Sequence, residues 1–160
     1  MKFNHVDDTL KFAGSSITHL LINNESVNLG TGEASFAMDL AVHEVSTGDD
    51  GLLSGYITLQ IESASVAPVS ASKNTASSSP VFHLEYESEG LFMATSPMKE
   101  TDFVGMLYIN GGAMLYSIAR ADILNITSSV FSQGKLRIPV VNILEFLEEK
   151  QKAESKTAEE

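Results

Sequence analysis

The chain has 160 residues, an apolar fraction of 43%, a charged fraction of 19% and a formal net charge of −11. That size and composition suit one globular domain with a real core, while a surface this acidic repels phosphate backbones and counts against nucleic acid as a partner. With no cysteine in the sequence, disulfides, thiolate chemistry and cysteine-ligated zinc are excluded as well.

The first residues, MKFNHVDDTLKF, lack the apolar segment of a signal peptide, and no apolar run is long enough to cross a membrane, so a cytoplasmic location is expected. Residues 1–14 read as a loose arm or a short edge strand. Residues 15–27 (SSITHLLINNESV) can form a strand in which Ile17, His19 and Leu21 alternate with Thr18, Leu20 and Ile22. Apolar residues in both sets predict cover on both faces. Gly30-Thr31-Gly32 marks a turn. Residues 35–45 form a cleaner strand, with Phe36, Met38, Leu40 and Val42 on one side and Ala37, Asp39, Ala41 and His43 on the other. Gly48-Asp49-Asp50-Gly51 supplies a hairpin turn. Residues 53–62 return with Ile57, Leu59 and Ile61 inward and Tyr56, Thr58, Gln60 and Glu62 outward. Residues 64–80, rich in Ser and Ala, read as a loop. The fourth strand spans 81–87, where Phe82, Leu84 and Tyr86 alternate with His83, Glu85 and Glu87, and Gly90 bulges or ends it.

Helical signals follow. Ser96-Pro97 reads as an N-cap with a first-turn proline, and Glu100 and Asp102 sit near the positive end of that helix. Gly111-Gly112 is expected to break it. A second helix carries Met114, Leu115, Ile118, Ala119, Ile123 and Ile126 at helical spacing. In the last helix Asn142 is the N-cap, Glu145 completes the capping-box spacing, and Val141 and Phe146 have the spacing of a hydrophobic staple. Ile143, Leu144, Phe146 and Leu147 form its packing face. The tail after Gln151 is expected to be disordered, giving one domain over 1–150 and a charged tail over 151–160. Four strands followed by helices predict an α+β fold, with a four-stranded antiparallel sheet and C-terminal helices packed on one face.

No catalytic constellation accompanies this pattern. The Gly-Thr-Gly at 30–32 lacks the rest of a phosphate loop, so no ATP site is expected. His5, His19, His43 and His83 are scattered singly; His43 and His83 are expected to be neighbours on the polar sheet face, without the carboxylates to complete a metal site. No Gly-x-Ser-x-Gly elbow occurs. The chain is therefore not expected to be an enzyme or to carry a cofactor. What remains is apolar surface in excess of what one sheet face needs, to be covered by self-association or used as a binding groove.

The run LYSIARADI…VFSQGKLRIPVVNILEFLEE resembles the C-terminal half of SecB-type protein-export chaperones, and PVFHLEYESEGLFMATS resembles the last strand of that family. The resemblance covers residues 80–149. It implies a four-stranded antiparallel sheet with two main helices, a homotetramer assembled as a dimer of dimers, and an ATP-independent holdase. Such a holdase keeps preproteins unfolded and delivers them to the SecA motor ATPase of the Sec pathway. Phe82, Phe92, Tyr116 and Ile118 align with apolar groove positions for unfolded polypeptide, and Met114, with Met93 and Met98, would add adaptable surface. Glu85, with Glu87 beside it, aligns with the acidic sheet face that docks the basic, zinc-bearing tail of the motor. The strand-one acidic pair of that face reads Asn24 and Asn28 here, and the long-helix proline is Ser117. These departures suit a divergent member. Rival readings are a SecB-like chaperone dedicated to the antitoxin of a toxin–antitoxin pair, an oligomeric structural protein, and a small-ligand binder.

Overall fold

In the computed structural model, which describes residues 9–24, 34–66, 80–131 and 136–157, the alternating segments form four long strands. They are β1 (Leu10–Asn24), β2 (Ala34–Val42), β4 (Leu53–Val66) and β5 (Pro80–Ala94); a short β3 (Ser46–Thr47) pairs with the start of β4. Every pairing is antiparallel, in the order β1-β5-β4-β2. The central strands, β4 and β5, carry the strictest alternation. Ile57, Leu59 and Ile61 on β4 and Phe82, Leu84, Tyr86 and Phe92 on β5 are buried on one face. The hairpin turn at 48–51 forms as predicted. The Gly51 amide donates to the Gly48 carbonyl at 2.9 Å, and Gly51 takes a φ of 77°, which disfavours any side chain.

Two strand expectations need correction. Gly90 neither ends β5 nor bulges it: the strand runs on to Ala94, and Phe92 and Ala94 continue its buried face. In the β1–β5 pairing the bulges lie on β1, between Phe12 and Gly14 and between Ile17 and His19; the β4–β5 pairing shifts register at its far end, between Ser65 and Val66. β1 is also an edge strand open on both faces, with Ile17, Leu20 and Leu21 about two-fifths exposed, not a strand covered on both sides. The turn at 30–32, Asn28 and most of the 64–80 loop lie outside the described residues.

The helical layer is one run: α1 (Glu100–Met106), a π-helical turn (Leu107–Gly111) and α2 (Gly112–Val130). It starts later than Ser96-Pro97 predicts, with Lys99 as N-cap accepting the amides of Asp102 and Phe103 at 3.1 and 3.0 Å. Residues 96–99 first bring the chain across the rim of the core, where Met98 packs. Glu100 and Asp102 do occupy the first turn. Gly111-Gly112 lies inside the helical run instead of breaking it. The pair serves close packing. A Cβ at Gly112 would stand 3.0 Å from Leu40 Cδ1, and one at Gly111 3.4 Å from Phe92 Cε2. The π turn absorbs the irregularity without ending the helix. Leu107, Leu115, Ala119 and Ile123 are wholly buried against the sheet.

In the Ser/Thr-rich end of α2 the hydroxyls bond back to carbonyls one turn earlier, Thr127 Oγ1 to Ile123 at 2.6 Å and Ser129 Oγ to Asn125 at 3.2 Å, which satisfies them within the helix. Thr127 Oγ1 also accepts the Leu136 amide at 3.1 Å, pinning the connector to α2. The last helix, α3 (Ile143–Thr157), is capped as predicted: Asn142 Oδ1 accepts the Leu144 amide at 3.2 Å. It extends past Gln151, where disorder was expected, because Lys, Glu and Ala are strong helix formers and Glu148 and Lys152 pair one turn apart. Leu144, assigned to its packing face, is 52% exposed; Ile143, Phe146 and Leu147 make the packing.

Truncating the face shared by sheet and helix should be costly. Phe92→Ala and Leu115→Ala are each expected to lower unfolding stability by about 2–5 kcal/mol, measured by urea denaturation at neutral pH; a loss below about 1 kcal/mol would place these side chains outside the core.

Candidate functional site

The residues singled out from the sequence fall into two groups on the helical side. Phe82 and Phe92 are each 1% exposed, and Tyr116 is 3% exposed. All three are core side chains in this subunit, a correction to their expected place on an open groove. Their position on the inner face explains it. Phe82 stacks edge-on against Phe131 at 5.5 Å, Phe92 lies 5.1 Å from Phe12, and Tyr116 meets Phe36 edge-on at 6.5 Å. The Tyr116 hydroxyl donates to the Pro139 carbonyl at 2.7 Å, holding the connector over the core, and burial raises its pKa. Met114, by contrast, is 44% exposed, and Ile118 is half-buried.

Met114 and Ile118 lie one turn apart on α2, on the side turned away from Tyr116 and β2. On the sheet, Ile17 and Leu20 of the edge strand β1 stand opposite the inward-facing Ser88 and Tyr86 of β5 and remain exposed. The Tyr86 hydroxyl donates to Asp122 Oδ2 at 3.0 Å, tying α2 to the sheet beside this strip; burial, then the hydrogen bond with Asp122, pushes the phenol up to about 12. A second apolar opening lies between the π turn and α3. It is a groove of about 390 Å³ lined by Gly105, Tyr108, Ile109, Leu144 and Leu147, with Glu148, Lys150 and Gln151 on its rim. Ile109 is 39% exposed. Neither Ile109 nor Leu20 stands out in the sequence, since each belongs to a pattern that also describes a buried face.

The opposite, open face of the sheet holds Glu85 and Glu87. Glu85 accepts hydrogen bonds from His83 Nε2 at 2.8 Å and His19 Nε2 at 3.1 Å, and these bonds, His83 first, hold its carboxyl below the usual glutamate value. Glu87 accepts from Thr18 Oγ1 at 2.8 Å and Gln60 Nε2 at 2.7 Å, which lower its pKa in the same order. The expected pairing of His43 with His83 does not occur. His43 bonds Thr58 Oγ1 at 2.5 Å near one end of β4, whereas His83 pairs in register with Ala64 near the other end. The neighbour of His83 through Glu85 is His19. Among the described residues no group of three or more His, Asp or Glu side chains is placed to hold a metal ion. Asn24 ends β1 opposite Phe82.

No family model and no curated protein sequence matches the chain. Among solved structures it is similar to the Mycobacterium tuberculosis SecB-like chaperone Rv1957, solved in complex with a ChAD peptide from the Rv1956 HigA1 antitoxin. The two are 10% identical, the match covers 83% of this chain and 91% of that chain, and the TM-score is 0.52. At that identity the likeness is one of fold: the antiparallel sheet with its helical layer is SecB-like.

Because both carboxyls titrate below the usual 4.5 in the folded protein, the stability they lend is present above that pH and is lost as pH falls through their lowered values. The double variant Glu85→Gln/Glu87→Gln should therefore show a shallower acid fall in urea midpoint between about pH 5 and pH 2 than the parent. Parallel acid limbs would show that the His19, His83, Thr18 and Gln60 contacts carry no folding energy.

Proposed function

We propose that this chain is an ATP-independent molecular chaperone that holds unfolded polypeptide on apolar surface flanking its helical layer. The observation that carries the reading is that surface itself. Met114 on α2, Ile17 and Leu20 on β1, and Ile109 and Leu144 beside the groove between the π turn and α3 stay open in a subunit whose core is otherwise closed. Apolar burial of this kind binds without a reacting group and without reading sequence. Met114 and Ile118 are client contacts in this reading, with the flexible methionine adapting to different side chains. Phe82, Phe92 and Tyr116 form the firm floor beneath. The SecB-like fold supports the assignment, since Rv1957 is a chaperone described with a peptide bound.

Within this reading the client is a preprotein held in the cytoplasm for the Sec translocation motor, with Glu85 and Glu87 on the acidic sheet face as the docking surface for its basic tail. Service to the antitoxin of a toxin–antitoxin pair is the second reading, favoured by the antitoxin peptide on Rv1957 and by Asn24 in place of a docking carboxylate. The strip along β1 also suits self-association into a homotetramer, built as a dimer of dimers.

The test is suppression of aggregation of a chemically unfolded protein on dilution, with no nucleotide present. The chain should suppress it at near-stoichiometric ratio, and Met114→Glu or Ile109→Glu should weaken binding by roughly ten-fold while leaving thermal stability within a few degrees. No suppression by the parent chain would overturn the proposal. Light scattering should return four times the 17.2 kDa chain mass.

A further inference from the structure

The sequence has six methionines and no cysteine, so a two-electron oxidant such as a peroxide meets sulfur in this chain only as thioether. Four of the five described methionines are sheltered. Met38 and Met98 pack against the core, and Met106 Sδ accepts the Thr9 hydroxyl at 3.9 Å. Met93 lies half-buried on β5 between Lys11 of β1 and Ser54 of β4. Met114 is 44% exposed.

Its surroundings make oxidation a change of surface chemistry and not of fold. Met114 stands in the first turn of α2, with exposed Ala113 and Ser117 on the same helix and half-buried Ile118 one turn on. The Ser117 hydroxyl is engaged with the Ala113 carbonyl at 2.9 Å, so a sulfoxide oxygen on Met114 takes its hydrogen bonds from water. Leu115 and Ala119, on the inner side of the helix, are wholly buried and keep their packing whichever state the sulfur is in.

We propose that Met114 is an oxidation-controlled contact of the client surface: the thioether holds unfolded polypeptide and the sulfoxide lets it go. The inference rests on the chaperone reading and adds a regulation of that same surface. A sulfur lone pair attacks one oxygen of hydrogen peroxide and the O–O bond breaks. The sulfur keeps that oxygen as sulfoxide, and the other leaves with both protons as water. The thioether is oxidised by two electrons and the peroxide is reduced. A methionine sulfoxide reductase reverses the change, releasing the oxygen as water while its dithiol becomes a disulfide. The effect on binding is one of desolvation. A thioether is apolar and adaptable, whereas a sulfoxide is a strong acceptor that a covering apolar side chain strips of water without replacement. A client lying over Met114 also keeps oxidant from it, so holding and oxidation oppose one another.

The experiment treats the full chain with excess hydrogen peroxide, removes the oxidant, and compares it with Met114→Leu and Met114→Gln. Peptide mass spectrometry should find the added oxygen on Met114 roughly five-fold faster than on Met38, Met93, Met98 or Met106. A reduced, alkylated and permanently unfolded model protein, present during treatment, should slow it there by a similar factor. The oxidised parent and Met114→Gln should each bind that protein about five- to ten-fold more weakly, with thermal midpoints unmoved. Met114→Leu should bind as before after the same treatment, and sulfoxide reductase should restore the parent. If the untreated chain suppresses aggregation and oxidised Met114 leaves binding unchanged, the inference is overturned and the chaperone reading stands. If the untreated chain does not suppress it, both fail. A loss that Met114→Leu shares with the parent, or oxidation of Met114 no faster than of the sheltered four, likewise overturns the inference.

Discussion

A single helical run has to cover a sheet of four strands, and it is too narrow to do so. Strands about 4.8 Å apart place the outer two roughly 14 Å from one another, and a helix with its side chains is about 10–12 Å wide. The run settles over β4, β5 and the near side of β2. Gly111 and Gly112 bring its backbone close to Phe92 and Leu40. Everything distinctive about the surface follows from that choice. β1 is left with its inner face partly bare at Ile17 and Leu20, and the far flank has to be closed by the connector and α3.

The closure on that flank is incomplete, and its composition shows why. Tyr116, Thr127 and Asn142 hold the connector and the start of α3 by hydrogen bonds to main-chain groups. Beyond them α3 meets the body through Phe146, Leu147 and Lys150, and most of its other residues are Glu, Lys and Gln. A helix so attached leaves a groove beside the π turn, and its lysine is the group that reaches the sheet edge. The helical side thus offers two apolar openings, one by β1 and one by α3, separated by a firm aromatic core.

The open face of the sheet follows a different logic. Its carboxylates do not simply project into solvent. Glu85 bridges β1 and β5 through His19 and His83, and Glu87 bridges β1 and β4 through Thr18 and Gln60. Carboxylates held this way are oriented, so the open face presents a patterned acidic surface across β1, β5 and β4. The same bonds fasten β1, the strand with the least apolar cover, to the rest of the sheet.

Alternation and capping chemistry are local properties, so the sequence by itself determined the α+β class, the strands, the 48–51 turn and the Asn142 cap. It named Met114 and Ile118 as groove candidates together with Phe82, Phe92 and Tyr116. It could not separate Phe82, Phe92 and Tyr116 as core from the same residues as groove, because both roles ask for an aromatic side chain at the same spacing. Only the placement of the helical run over β4 and β5 decides which aromatic is sealed. Gly111-Gly112 misled for a like reason: two glycines weaken an isolated helix, yet against Phe92 and Leu40 they are what lets the helix pack. The pairing of His83 with His19 and the reach of Lys150 to Leu40 join residues far apart in the chain. Such contacts come from strand order and register, which no local pattern encodes.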